Sequence, residues 1–145
     1  MTVLRMDHVG IVVEDLAAAT EFFLELGLEP QGEMSIEGEL VDRIIGLEDV
    51  RTQVTMLQTP DGNGKVELIQ FHSPPAQPGD ASAPSNALGI RHLTFAVEAV
   101  DDVVARLERH GAELVGEVVT YGNAYRLCYL RGPAGVIVEL AEPLS

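Results

Sequence analysis

The chain of 145 residues contains a single cysteine, Cys128, no tryptophan, and nine Lys plus Arg against 23 Asp plus Glu. One cysteine excludes an internal disulfide framework and any zinc or iron–sulfur site built on several thiolates. The scarcity of basic residues leaves a formal net charge of −14, a field that repels polyphosphates and anionic lipid headgroups. Nucleic acid and membrane surfaces are therefore not expected as partners. No apolar run approaches the ~20 residues that a bilayer span requires. The first residues show no basic stretch followed by an apolar one and a cleavage site. A cytoplasmic, reducing location and a small-molecule substrate are the expectation. Cys128 stands in the alternating run Tyr125-Arg126-Leu127-Cys128-Tyr129-Leu130 with nothing beside it to favour a thiolate, so it reads as a strand residue and not a nucleophile.

What the chain does have is an internal repeat. Laid on itself so that His8 meets His92, DHVGIVVEDLAAATEFFLELGLEPQGE aligns without a gap on RHLTFAVEAVDDVVARLERHGAELVGE. From His8/His92 to Glu33/Glu117, seven of the 26 aligned positions are identical: His8/His92, Val13/Val97, Glu14/Glu98, Gly27/Gly111, Glu29/Glu113, Gly32/Gly116 and Glu33/Glu117. Each copy opens with a β-rich run and then changes to helical periodicity. In the first, Leu16, Ala19, Phe23 and Leu26 share a face, Asp15 is placed as N-cap and Gly27 as terminator. In the second, Val100, Val103, Val104 and Leu107 keep the same spacing, with Gly111 in the terminal role. Further strands are expected over 51–58 and 65–71, then over 112–119, 124–130 and 135–141. The segments 60–64 and 131–135, dense in Gly, Pro, Asp and Asn, turn the last two strands of each half into hairpins.

The reading is one 145-residue α+β domain of two βαβββ modules, 4–71 and 89–142, joined by a proline-rich connection over 72–88. The stretch 34–50 has no decisive period: Val41, Ile44, Ile45 and Leu47 fit either a short helix or a loop over a cavity.

The hairpins end alike, in Val66-Glu67-Leu68 and Val138-Glu139-Leu140. A carboxylate inside an apolar strand must reach solvent or meet a cation, because burying it unpaired costs several kcal/mol. His8 and His92 also recur at equivalent places. His72, at the start of the proline-rich segment, and His110, at a helix end, do not. His8, Glu67, His92 and Glu139 thus outline a pseudo-symmetric set of two imidazoles and two carboxylates. That donor set suits one divalent ion among Zn, Ni, Co, Mn and Fe better than Ca²⁺ or Cu⁺.

Paired βαβββ modules carrying these four residues, together with DHVGIVVEDL, GIRHLTFAVEAV and RGPAGVIVEL, resemble the vicinal oxygen chelate superfamily. That group includes glyoxalase I, methylmalonyl-CoA epimerase, extradiol dioxygenases and bleomycin- and fosfomycin-resistance proteins. The resemblance implies a cupped mixed sheet, with His8 and His92 as first-strand ligands and Glu67 and Glu139 as last-strand ligands. It also implies a metal-dependent isomerase or lyase that abstracts a proton next to a chelated oxygen, with Glu139 ranked first as base and Glu67 second. An Fe(II) extradiol-type dioxygenase uses two His and one Glu, so a fourth ligand favours the non-redox reading. A resistance-type binding protein is the other alternative. The first helix lacks the arginine that many glyoxalases carry for an anionic thiol conjugate. Arg126 and Arg43 are candidates to meet a substrate carboxylate, and a homodimer is expected.

Overall fold

The computed structural model describes residues 2–144. The chain divides into two compact units, one ending at Pro78 and the other starting at Gly79, and each is a mixed sheet with one principal helix.

In the first unit the elements are β1 (Val9–Val12), α1 (Leu16–Leu26), β2 (Glu29–Glu37), α2 (Glu39–Ile45), β3 (Arg51–Gln58) and β4 (Lys65–Ser73). The sheet order is β1-β4-β3-β2, with β1 parallel to β4 and the remaining pairs antiparallel. Helix α1 starts where the Asp15 carboxylate accepts the Ala18 N–H at 3.0 Å and stops at Gly27, whose φ of 121° is open to a residue without a Cβ. It buries Ala19, Phe22, Phe23 and Leu26, and the two phenylalanine rings meet edge to face at 5.1 Å. Together with Val54, Leu57, Val66 and Leu68 these side chains form the core of the unit.

The stretch 34–50 resolves into the second half of β2, then α2. Strand β2 carries only one residue that is not exposed, Ile36, and so shows no alternation for a reader to follow. It is the sheet edge, blunted by Pro30, by charge and by a bulge between Pro30 and Gly32, as edge strands usually are. Helix α2 buries nothing, and Leu40 and Ile44 lie 69% and 83% exposed.

The second unit contains β5 (His92–Ala96), α3 (Val100–Glu108), β6 (Glu113–Leu114), β7 (Val119–Tyr121), β8 (Tyr125–Arg131) and β9 (Ile137–Pro143). Its order is β5-β9-β8-β6, with β7 also paired to β8. The expected strand over 112–119 is broken: β6 and β7 both pair with β8, and 115–118 between them leaves the ladder after Val115, whose N–H still reaches the Tyr129 carbonyl at 2.9 Å. Helix α3 buries the four expected residues, Val100, Val103, Val104 and Leu107, but ends at Glu108, ahead of Gly111. His110 accordingly lies in the turn beyond the helix, and His72 lies on β4.

Both helices are capped in one way that the sequence did not advertise. The Leu16 N–H donates to the Gln70 side chain at 2.9 Å, and the Val100 N–H donates to the Glu142 carboxylate at 2.9 Å. Each acceptor follows the glutamate of its module along the same strand, at the same spacing in both. The segment after Pro78 is also tied down: the Arg131 guanidinium donates to the carbonyls of Ala81, Ala83 and Gly135 at 3.0 to 3.2 Å. Among the described residues no helix is long and apolar enough to cross a membrane.

Candidate functional site

Strand register explains why the paired histidines and glutamates meet. In the first unit Gly10 of β1 stands beside Glu67 of β4, and in the second Thr94 of β5 stands beside Glu139 of β9. Gly10 and Thr94 are themselves equivalent positions of the internal repeat, so the two sheets share one register. Side chains alternate along a strand, which places His8 and His92, each one pleat repeat earlier, on the same face as the neighbouring carboxylate. The outcome is nearly identical twice. His8 Nε2 lies 3.8 Å from Glu67 Oε1, and His92 Nε2 lies 3.6 Å from Glu139 Oε1. Both carboxylates are 21% exposed, reachable from solvent yet seated in their strands.

These separations are too long for hydrogen bonds of ordinary strength. They are close to what two donors on one ion adopt, since ligands about 2.1 Å from zinc at tetrahedral angles stand roughly 3.4 Å apart. The donor chemistry fits as well. His8 donates its Nδ1–H to Asp7 Oδ2 at 2.7 Å, because a carboxylate can only accept, and in the neutral ring this leaves the Nε2 lone pair facing Glu67. Such a carboxylate–imidazole contact fixes the tautomer of a ligating histidine. The same hydrogen bond holds the Asp7 carboxyl below its ordinary value. Each pair thus offers one nitrogen and one oxygen donor in suitable orientation. Among the described residues no three His, Cys, Asp or Glu side chains form a group able to hold a metal ion.

The surroundings of the two pairs differ. Thr94 donates its hydroxyl to Glu139 Oε1 at 2.7 Å, whereas Gly10 has no side chain to do the same for Glu67. Tyr129, opposite Glu139 in the β8/β9 ladder, lies against His92 with ring centroids 5.0 Å apart and its hydroxyl 3.4 Å from Nδ1; the corresponding partner of Glu67 is Met56. Asp7 of the first unit is replaced by Arg91 at the equivalent position of the second. Thr94 and Tyr129 escaped the reading of the sequence, although Thr94 shares a strand face with His92 and Tyr129 follows from counting back across the hairpin at 131–135.

The second pair borders a cavity of about 360 Å³ whose walls include Val115, Val119, Leu127, Tyr129 and Glu139. Cys128 also touches it but is only 4% exposed, and burial pushes its thiol up to about 11, so it packs and does not react. Of the two arginines expected to meet a substrate, Arg126 is already engaged: it donates to both Asp101 oxygens at 2.9 and 3.0 Å and to Thr120. That pairing is the main cause holding the Asp101 carboxyl below its ordinary range. Arg43 is exposed in the last turn of α2.

The family model of the glyoxalase/bleomycin resistance protein/dioxygenase superfamily matches residues 7–129. The chain belongs to this superfamily. A glyoxalase family protein from Bacillus cereus is 48% identical, with a TM-score of 0.95 over 100% of this chain and 97% of that one. The uncharacterized protein YaeR of Escherichia coli K12 is 28% identical over 139 residues, 95% of each chain. The fosfomycin resistance protein FosX of Listeria monocytogenes, 15% identical with a TM-score of 0.63 over 97% of this chain and 92% of that one, shares the fold of the superfamily.

Proposed function

We propose that this member of the superfamily is a divalent-metal-dependent isomerase or lyase, that His8, Glu67, His92 and Glu139 supply the ligands, and that the reaction removes a proton next to an oxygen of a small substrate. The observation that carries this reading is the recurrence of one His–Glu pair, at one strand register and nearly one distance, in both units. When bound, a divalent ion polarises adjacent substrate oxygens and acidifies the neighbouring C–H.

The remaining work falls to the chain. Asp7 holds His8 with Nε2 outward, and Tyr129 braces the His92 ring. Glu139, anchored by the Thr94 hydroxyl, is suited to stay in place throughout. Glu67 carries no such anchor, so its carboxylate is freer to turn, accept the proton and return it at a neighbouring carbon. This reverses the order that the family resemblance implies for the two glutamates, and the Thr94 hydroxyl is the reason.

Metal analysis of untagged protein tests the first part: one divalent ion per chain in the wild type, lost in His8→Ala and in His92→Ala. Wild-type protein without metal affinity would refute it and favour a small-molecule binding protein. Solvent exchange in D₂O with α-hydroxy and α-keto carbonyl compounds tests the second. Glu67→Gln should lose exchange by ~10²-fold or more, the scale of a deleted general base, while retaining metal. A larger loss in Glu139→Gln would return the base to Glu139.

A further inference from the structure

The hairpin that joins β3 to β4 contains an Asn63-Gly64 step, and its turn is closed by hydrogen bonds around that step. The Thr59 N–H donates to the Gly64 carbonyl at 2.7 Å, and inside this pair the Gly62 N–H donates to the Thr59 carbonyl at 2.8 Å. The Gly64 N–H donates to the Thr59 hydroxyl at 2.9 Å. That hydroxyl donates to Asp61 Oδ1 at 2.6 Å, and the Asn63 side-chain amide donates to Asp61 Oδ2 at 3.3 Å. These bonds hold the Asp61 carboxyl below its ordinary value, the one from Thr59 foremost. Asn63 itself is exposed at the tip, where loops meet solvent and tolerate covalent change.

The Cγ of an asparagine is an electrophile within reach of the next residue's backbone nitrogen, and the Cβ of that next residue hinders the attack unless it is a glycine. Of the three asparagines in the chain, Asn63, Asn86 and Asn123, only Asn63 precedes a glycine; Ala87 and Ala124 follow the other two. All three are exposed, so the following residue distinguishes them and solvent access does not. The corresponding hairpin turn of the second unit, 131–135, contains no asparagine.

We infer that Asn63 is a site of spontaneous covalent modification, converting through a cyclic imide to aspartate and isoaspartate, and that the Thr59 hydroxyl sets the rate by occupying the Gly64 N–H. The Gly64 nitrogen reacts after its proton has passed to solvent hydroxide, which requires it to leave Thr59. It then bonds to Asn63 Cγ, the Cγ–Nδ2 bond breaks, and ammonia departs with a proton from water. Water opens the five-membered imide on either side of its nitrogen: cleavage from Cγ gives aspartate, and cleavage from the Asn63 main-chain carbonyl carbon gives isoaspartate. The net change is one water consumed and one ammonia released, with no oxidant or reductant. Either product puts a carboxylate where Asp61 had an amide donor, so the turn exchanges a hydrogen bond for two like charges. Isoaspartate also lengthens the main chain by a methylene just ahead of Lys65, which pairs with Gln58 in the ladder that contains Glu67.

The test is peptide mapping of the folded protein after incubation in warm, mildly alkaline buffer, with an isoaspartate-specific methyltransferase to distinguish the two products. The tryptic peptide 52–65 should acquire an acid in place of its amide before the peptides containing Asn86 and Asn123 do. Thr59→Val should speed the conversion by about fivefold, the scale of one net hydrogen bond, whereas Thr59→Ser, which keeps the hydroxyl, should hold the wild-type rate. Gly64→Ala should slow it. Conversion at Asn86 or Asn123 ahead of Asn63, or no isoaspartate in peptide 52–65 when the same chain unfolded in urea forms it, would overturn the site. A Thr59→Val rate equal to wild type, or a rise shared by Asn86 and Asn123 and therefore due to unfolding, would overturn the role of Thr59.

Discussion

Replacing Gly10 by threonine would give the first unit the hydroxyl that Thr94 supplies to the second. The backbone allows it: Gly10 is not among the glycines of positive φ. A Cβ at this position would meet Ile69 Cδ1 at 3.5 Å and Glu67 Oε1 at 3.8 Å, ordinary contact distances that require nothing to move. Three effects add. Removing the backbone freedom of a strand glycine contributes about 0.5–1 kcal/mol, and the preference of β-branched residues for strands adds roughly half as much again within a scale spanning ~1 kcal/mol. A hydroxyl donating to a partly exposed carboxylate adds about 0.5 kcal/mol. The sum is about 1.5 kcal/mol, a rise in Tm of about 3–6 °C for a chain of this size.

Thermal and urea denaturation of Gly10→Ala, Gly10→Val and Gly10→Thr separate the parts. Alanine isolates the backbone effect, and threonine against valine isolates the hydroxyl, an advantage that should vanish in a Glu67→Leu background. If threonine is no more stable than valine with Glu67 present, the hydroxyl does not find the carboxylate and the structural equivalence of the two sites fails. The same substitution reads out function. If Glu67 must turn to accept a proton, Gly10→Thr should be more stable and slower in solvent exchange, a trade between rigidity and activity, whereas Thr94→Val should leave the ratio of exchange to bound metal nearly unchanged.

Other expectations follow from packing and charge. Leu107, fully buried in α3, should cost about 2–5 kcal/mol when cut to alanine, measured by urea denaturation. Gly135 has a φ of 77°, and a Cβ there would stand 2.3 Å from the Ala81 carbonyl oxygen. Gly135→Ala should therefore destabilise by about 2 kcal/mol or more and expose the 79–88 segment to limited proteolysis. Asp101 is held below its ordinary value of 3.8, first by its hydrogen bond from Arg126. Its contribution to stability is present above 3.8 and lost as pH falls through the lowered folded value. The Tm gap between wild type and Asp101→Asn should accordingly close on acidification and shrink in high salt.

The parts that the sequence disclosed are those in which local pattern and long-range structure agree. The internal repeat that superposes His8 on His92 identified the opening strand and helix of both units, Asp15 and Gly27 marked the ends of α1, and Glu67 and Glu139 stood out as charges inside apolar strands. The failures have a common cause in surface exposure. Strand β2 has almost no buried face, and α2 buries nothing, so neither imprints a hydrophobic period. The break between β6 and β7 depends on where 115–118 leaves the ladder, which the apolar alternation over 112–119 conceals. The engagement of Arg126 by Asp101, 25 residues away, is a tertiary fact with no local signature, as is the anchoring of Glu139 by Thr94.

The caps drawn from the last strand of each unit bear on how this chain is made. The N-terminal amides of α1 and α3 wait for Gln70 and Glu142, residues 54 and 42 positions downstream, and β1 and β5 find their parallel neighbours only in β4 and β9. During synthesis each unit therefore emerges with its opening strand unpaired and its helix start unsatisfied until its final strand has cleared the ribosome. Non-local closure of this kind is slow and leaves strand edges open in the interval. Nascent chains stalled with nothing beyond β3 outside the ribosome should stay sensitive to protease throughout the first unit, whereas release of β4 should confer protection in a single step, before the second unit has emerged.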